Sequence, residues 1–450
     1  MGPLPRCVDA RSLAWQILQR VEAGGFADAL LGSVPGGGDL GGRDQALAAR
    51  LVYGTLAWQG YLDHLLAAFS QKPIHKLDVP IRCLLRMALL QICKLDRIPT
   101  FAAVDTAVAL SKQHHGGSAS GFVNAVLRRA ARDWSDVPLP SDSSAANLAV
   151  RLSHPLWLVE RWLATYGAAD TEALLAANNE AAPTTLRVNR RRAERDTVLD
   201  RLREAGVEAD ACGFSPFGVI LQSGARIEAL PGFAEGLFSV QGEASQLVSL
   251  LAAPQPNTRV LDACAAPGGK ATHLAELMDD QGEVTALDIH ASGVAAIRAT
   301  ATRLGLSIVK ASMADAAAWP APAESFDTVL VDAPCSGLGT LRQHPEIRWR
   351  RSVADVQELA RTQGRLLAHV APLVRRGGSL IYSTCTLTRE ENEDQIGGFL
   401  AEHGDFVVDD PRPLLPLLAR ELCDAAGLVH MLPHRHSLDG FFAVRLKRVA

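Results

Sequence analysis

Two cysteines stand where apolar runs end, Cys335 in FDTVLVDAPCSG and Cys385 in SLIYSTCT. Both runs have the length and the β-branched and aromatic content of buried strands, and one helical stretch separates them. The thiols therefore sit at the carboxyl ends of consecutive strands, the edge at which open α/β sheets bind ligands. Neighbouring strands lie roughly 4.8 Å apart, so adjacent placement makes the two thiols flank one pocket. A disulfide is the alternative, and a reducing compartment disfavours it.

A second group of strand ends carries cofactor chemistry. The run TRVL is followed by DACAAPGGKATHLAE, where Gly268 and Gly269 let the backbone turn tightly at a helix N-terminus. Asp288 ends the next run, where a carboxylate accepts both hydroxyls of a ribose. Asp315, after the third run, is placed to meet an adenine amino group. Each aspartate alone is equally a helix N-cap. Three at consecutive strand ends, with neither G-x-G-x-x-G nor a G-x-x-x-x-G-K-[ST] loop, favour S-adenosylmethionine over a dinucleotide or a nucleoside triphosphate.

Two thiols beside a methyl donor suit a pyrimidine. Carbon 5 of the ring is a weak nucleophile until a thiolate adds to carbon 6 and turns it into an enamine. After transfer, the carbon 5 proton must leave before the adduct can eliminate, which requires a second thiolate or base. Asp332, three residues before Cys335, is placed to hydrogen-bond a protonated ring nitrogen. Spacing alone leaves open which cysteine attacks.

The elements that must position these residues are legible as three segments. From about Thr258, short apolar runs alternate with helices, which predicts a Rossmann-like α/β domain with a parallel, doubly wound sheet over 236–450. Ser352 and Gly377-Gly378 bound a predicted helix from Val353 to Val374. Residues 1–140 show helical spacing throughout, with VPGGGDLGG and QHHGGSASG read as loops between helices of an all-α domain. After the Pro/Ser stretch DVPLPSDSSAAN, residues 141–235 read as a small α+β module. It comprises the helix SHPLWLVERWLATYG with Trp157 and Trp162 on its core face, the strands TTLRVN and FGVILQSG, and the helix ERDTVLDRLREAG.

Composition narrows the class. The chain has 450 residues, 48% of them hydrophobic and 21% charged, as expected of a soluble multidomain protein. No apolar stretch nears the roughly 20 residues of a membrane helix, and the charged, amphipathic start does not resemble a signal peptide. A cytoplasmic location without membrane partners is expected. The eight cysteines form no C-x-x-C pair and His430, His434 and His436 lack nearby co-ligands, so reduced thiols and no metal are expected. Residues 1–140 hold 15 Lys/Arg against 11 Asp/Glu, 141–235 hold 10 against 13, and the remainder 20 against 25. A basic front module permits a polyanion partner.

DACAAPGGK, DAPCSG and STCT together resemble the RNA cytosine-5 methyltransferases. FVNAVLRR, SHPLWLVERW and SLDGFFAVRLKR are similar to the ribosomal RNA small-subunit methyltransferase B branch, and the resemblance spans nearly the whole chain. It implies a class I S-adenosylmethionine-dependent fold, a NusB-like RNA-binding front domain, and a monomer acting on a cytosine in an unfolded or single-stranded part of 16S ribosomal RNA. It also implies that Cys385 is the nucleophile and that Cys335 serves proton removal and product release. Cys264, Ala265, Ala266, Pro267, Gly268, Gly269, Lys270, Asp288, Asp315 and Asp332 would then contact the cofactor, with Asp332 also near the base and Lys270 near the reacting end. His290 and Gly293 depart from the polar-Arg pattern common after the second-strand aspartate.

RNA contacts are expected from Arg128 and Arg129, with Arg132, on the last front-end helix. A second set is Arg342, His344, Arg348, Trp349, Arg350 and Arg351 in TLRQHPEIRWRRS, suited to gripping a strand and stacking on bases. A solvated charged surface is the alternative for both sets. Competing functions are a transfer RNA or other ribosomal RNA cytosine-5 methylase, a non-catalytic RNA-binding assembly factor, and a nicotinamide-dependent oxidoreductase.

Overall fold

The computed structural model describes residues 9–33, 41–222 and 226–449. The chain divides into two compact units, one running to Ala181 and including Leu341–Arg350, the other comprising Ala182–Thr340 and Arg351–Ala450. The first subdivision of the sequence, VPGGGDLGG, falls largely outside the described residues.

The first unit is helical. The helices Ala10–Glu22, Gly42–Ala57, Gln59–Phe69, Val79–Lys94 and Thr100–Asp133 enclose a core that includes Trp15, Leu18, Leu51, Leu62, Leu84 and Leu127. Asp9 starts the first helix by accepting the backbone N–H of Arg11 and Ser12. Inside this unit Arg86, almost buried, is held by both oxygens of Asp63 at 2.7 Å and by Glu22 at 2.7 Å. One expectation fails: QHHGGSASG lies inside the 34-residue helix Thr100–Asp133 and is not a loop. Glycine costs a helix only about 1 kcal/mol per residue. Buried Val104, Ala107 and Leu110 on one side and Val123, Val126, Leu127 and Ala130 on the other offset that cost. In the helix Leu156–Ala177, which Gly167 interrupts, Trp162 is fully buried whereas Trp157 is only half-buried.

The second unit contains two sheets. The small one is antiparallel, built from β1 (Thr184–Val188), β2 (Ala209–Ala211), β3 (Gly218–Leu221) and β4 (Phe238–Val240) in the order β2-β3-β1-β4. The helix Arg195–Glu204 buries Val198, Leu199 and Leu202 in the core of this sheet.

The large sheet has eight strands: β5 (Thr258–Asp262), β6 (Gly282–Asp288), β7 (Val309–Met313), β8 (Phe326–Asp332), β9 (Val374–Thr384), β10 (Phe406–Val408), β11 (Val429–Met431) and β12 (Phe441–Arg448). Their order is β10-β12-β9-β8-β5-β6-β7, with β11 paired to β12. Strands β5 to β9 pair in parallel, while the pairs made by β12 are antiparallel, so the sheet is mixed rather than wholly parallel. Uninterrupted buried stretches, Val284 to Leu287 in β6, Thr328 to Val331 in β8 and Gly378 to Thr384 in β9, reflect burial on both faces. Ser352 and Asp355 form a capping box at the start of the helix Val353–Val370. That helix stops four residues short of its predicted end, because Pro372 follows in a short 3₁₀ turn; Gly377 and Gly378 lie within β9.

Candidate active site

Register brings the two cysteine motifs together. In the parallel pair β8–β9, Asp332 lies opposite Ser383, and the Ala333 amide donates to the Ser383 carbonyl at 2.8 Å. From those partners the chain needs three residues to reach Cys335 and two to reach Cys385, and the sulfurs end 3.3 Å apart. The Gly339 amide donates to the Cys385 carbonyl at 3.0 Å, which ties the two loops at backbone level. Gly339 must lack a side chain, since a Cβ there would meet the Gly440 carbonyl oxygen at 1.9 Å.

A buried carboxylate organises the same loops. Glu391, with no exposed surface, accepts from the Ser336 amide at 2.8 Å, the Ser336 hydroxyl at 2.5 Å, the Thr388 hydroxyl at 2.6 Å and the Gln363 amide at 3.0 Å. Gln363 also donates to the Pro334 carbonyl at 3.0 Å, and the Tyr382 hydroxyl to the Glu391 carbonyl at 2.6 Å. Ser336 and Thr386, each following a cysteine, bond to each other at 2.7 Å. Pro334, Ser336 and Thr386, next to the thiols, are thereby fixed, as a buried polar network must be if it is to rigidify a site. Glu391 and Gln363 are absent from the sequence expectations. The Thr-x-x-Glu spacing of Thr388 and Glu391 is the local signal that could have found the first.

Hydrogen bonding to Cys385, then burial, pushes the Cys335 thiol well above its ordinary range. The two sulfurs lie within hydrogen-bonding distance, and either thiol can donate to the other. Burial, reinforced by Asp262, also raises Cys264, which leaves it a neutral member of its loop.

Next to the thiols, Lys270 Nζ donates to Asp332 Oδ2 at 2.6 Å and Ser383 Oγ donates to Asp332 Oδ1 at 2.8 Å. Lys270 lies in the first turn of the helix Gly269–Leu277, and its ammonium sits 5.4 Å from the centre of the Phe441 ring. Asp262, fully buried at the end of β5, is pushed up to about 7 by burial and by Asp332, against the pull of Lys270.

The Cys264–Lys270 loop joins β5 to that helix. Gly268 adopts φ 106°, a left-handed conformation, and a Cβ there would touch Ile297 Cα at 3.0 Å. Asp288 accepts the His290 amide at 2.8 Å and Asp315 accepts the Ala317 amide at 2.9 Å, so one oxygen of each shapes its own turn. Gly293 has a steric reason: a Cβ would lie 2.5 Å from Asp288 Oδ1 and 2.9 Å from the Ala266 side chain. Beside these aspartates, Ile289 is 60% and Met313 64% exposed, at the ends of adjacent strands on which Asp288 pairs with Met313. Large apolar side chains left open next to a carboxylate suit a flat aromatic base attached to a sugar. Glycine loop, aspartates and apolar pair together fit an adenosine-bearing cofactor.

The sequence matches the model of the 16S rRNA methyltransferase RsmB/F family over 249–447. It also matches the NusB family over 8–132 and an RsmF/B-like ferredoxin-like domain over 154–228. It is 38% identical to the ribosomal RNA small subunit methyltransferase B of Pseudomonas syringae pv. tomato over 91% of this chain and 90% of that one. With the Pseudomonas putida protein of the same name it shares 36% identity over 99% of each. The chain belongs to the ribosomal RNA small subunit methyltransferase B family. A crystal structure of the protein PH0851 superposes with TM-score 0.84 at 27% identity, covering 99% of this chain and 100% of that one.

The family assignment leaves some expected RNA contacts to be corrected. Leu341–Arg350 is part of the helical unit. There Arg348 is fully buried, donating to the carbonyls of Ser153 at 3.1 Å and Asn178 at 2.9 Å and to Asn179 Oδ1 at 2.7 Å; burial lowers it to about 9. Fully buried and bonded to these oxygens, the guanidinium does not face a phosphate. Trp349 donates its Nε1–H to the Leu56 carbonyl at 2.8 Å and packs its ring on Gly60, so it is no free stacking platform. Arg350 donates to the carbonyls of Val21 and Gly25, and Arg351, in the second unit, to that of Ser336 at 3.0 Å. Arg342 and His344 are half-buried in the first unit. His344 lies 3.9 Å from Asp28, and with Glu346 the three could bring ligand atoms within 4.8 Å of one another. Asp28 is exposed and Glu346 already accepts the Ala27 amide at 3.0 Å, so the group does not by itself call for a metal. Arg128 and Arg129 are exposed, whereas Arg132 pairs with Asp133 at 2.7 Å.

Proposed function

We propose that this protein methylates carbon 5 of a cytosine in 16S ribosomal RNA, with Cys385 as the attacking thiolate and Cys335 as the group that resolves the adduct. The observation that carries the proposal is the 3.3 Å approach of the two sulfurs, next to the Lys270–Asp332 pair. Cys385 adds to carbon 6 and the displaced electron pair makes carbon 5 nucleophilic, while the Asp332 carboxylate accepts a hydrogen bond from the protonated ring nitrogen. S-adenosylmethionine, when bound, supplies the electrophilic methyl group. Cys264 to Lys270, Asp288 and Asp315 would hold it, Ile289 and Met313 would cover its base, and Lys270 keeps Asp332 oriented.

Resolution then requires Cys335 to release its proton to solvent, the one proton lost in the overall reaction, and as thiolate to take up the carbon 5 proton. The C5–C6 double bond re-forms and expels the Cys385 thiolate, so the enzyme regains its starting charge. The division follows the resemblance of the two cysteine motifs, and the 3.3 Å approach of the sulfurs lets both act on one base. A cytosine stacked in a duplex is out of reach, so the target must be single-stranded or turned out of its helix. Arg128 and Arg129 supply exposed positive charge for the RNA backbone.

The decisive experiment incubates Cys385→Ala and Cys335→Ala separately with small-subunit ribosomal RNA and labelled cofactor, followed by denaturing electrophoresis. Cys335→Ala should accumulate a covalent protein–RNA species and Cys385→Ala none. The opposite pattern would reverse the two roles, and no adduct with either variant would remove the covalent mechanism.

A further inference from the structure

We infer that Arg187, on β1 of the small sheet, is a positioning residue for the glycine loop, through which the small module sets cofactor affinity. The inference presupposes that Cys264–Lys270 hold S-adenosylmethionine.

Arg187 has no exposed surface, and its guanidinium reaches into the helix Gly269–Leu277. Nε and Nη2 grip the two oxygens of Glu276 at 3.2 and 2.7 Å in a fork. Nη2 also donates to Thr272 Oγ1 at 3.1 Å. Nη1 donates to the Gly269 carbonyl at 2.6 Å and to Gln241 Oε1 at 2.5 Å. The Thr272 hydroxyl in turn donates to the Gly268 carbonyl at 2.7 Å. Arg187 thus controls, directly or through one hydroxyl, the carbonyls of both loop glycines.

Peptide geometry converts that grip into ligand geometry. In a planar trans peptide the C=O and the next N–H point in opposite directions. Fixing the Gly268 and Gly269 carbonyls toward Thr272 and Arg187 therefore aims the N–H groups of Gly269 and Lys270 the other way. These are first-turn amides, which lack intrahelical acceptors, and no side chain caps this helix. Lys270, the same residue whose amide is aimed, carries the ammonium that holds Asp332.

Stability alone does not account for the arrangement. A fully buried ion pair adds little over well-packed apolar side chains, because desolvation offsets its Coulomb attraction. Directional constraint is what the planar fork supplies and an apolar contact does not. Arg187→Lys keeps the charge but has no fork to hold Glu276 and the Gly269 carbonyl together.

The test uses the full chain and three variants: Arg187→Lys; the apolar replacement Arg187→Met with Glu276→Leu; and Leu202→Ala, which opens the core of the small module away from the loop. The readouts are calorimetric binding of S-adenosylhomocysteine, KM and kcat for S-adenosylmethionine, and Tm. Both Arg187 variants should weaken binding and raise KM between about tenfold and a hundredfold with a smaller change in kcat, the scale expected when a positioned group shifts by about 1 Å. Leu202→Ala should lower Tm yet keep affinity within about twofold. Unchanged affinity in Arg187→Lys, or equal weakening by Leu202→Ala, would overturn the inference. Failure of the unmodified protein to bind S-adenosylhomocysteine would instead sink the cofactor assignment on which it depends.

Discussion

Asp332–Thr340 and Leu341–Arg350 are consecutive in sequence and do opposite things. The first segment carries Asp332 and Cys335 and is fixed by Glu391 and Gln363 so that its thiol meets Cys385. The second is rich in arginine but uses Arg348 and Trp349 to satisfy carbonyls inside the helical unit. Chemistry at a strand end needs one residue type at one place, whereas a guanidinium serves equally well as a phosphate ligand or as a plug for five buried acceptors. Residue type therefore predicts placement in the first segment and misleads in the second.

The sharpest way to break this contrast is to remove one residue from each segment's partner set. Cys385→Ser should reduce methylation by at least about a thousandfold, since a hydroxyl is a far weaker nucleophile at neutral pH. Its urea midpoint should stay close to that of the unmodified protein. Arg348→Met should do the reverse, costing about 3–5 kcal/mol because several buried carbonyls lose their donor. Activity per folded molecule, measured well below the transition, should be nearly retained. A large loss of turnover in folded Arg348→Met would return this arginine to the substrate-handling residues.

The next effect is smaller and concerns the two thiols. Cys335 is raised well above its ordinary range by its bond to Cys385 and then by burial; in the adduct the Cys385 sulfur is a thioether, but burial and Glu391 still raise Cys335, so near neutrality only a small fraction is thiolate. Each unit of pH added there multiplies that fraction about tenfold. Decay of the preformed RNA adduct should therefore speed up about tenfold per pH unit on the alkaline side of neutrality, and Cys335→Ala should abolish the dependence. A decay rate flat in pH would mean that another base removes the proton.

Much of the catalytic half was legible because its signals are local. Apolar runs ending in Asp288, Asp315, Asp332, Cys335 and Cys385 placed those residues at strand ends without knowledge of the sheet order. Three features were not legible. Glu391 acts through partners up to 55 residues away, and its one local signal, the spacing to Thr388, marks a turn and not a link to the cysteine loops. The QHHGGSASG stretch looked like a loop because glycine propensity is local, whereas packing on both sides of it decides the outcome. Arg348 is misread because burial of a cation depends on acceptors from Ser153, Asn178 and Asn179, between 169 and 195 residues distant in the chain.

The weakest expected effect tests whether any arginine of the helical unit does meet RNA. Arg128 and Arg129 remain exposed on the helix that ends at Asp133, and Arg129 makes a long 3.4 Å bond to the Phe69 carbonyl with its guanidinium 5.9 Å from the centre of the Phe69 ring. Changing exposed side chains removes little folding energy, so the double variant Arg128→Ala/Arg129→Ala should keep its Tm within about 1–2 °C. If both side chains neutralise phosphates, RNA affinity should fall several-fold at moderate salt. The slope of log affinity against log salt should also flatten by about 1.4, at about 0.7 per contact for a single strand. Affinity that falls with no change in that slope would point to a shape or stacking contribution from this helix. No change in either quantity would leave the front unit's basic balance as a solvated surface, and would shift the search for the RNA path to the exposed cations of the second unit.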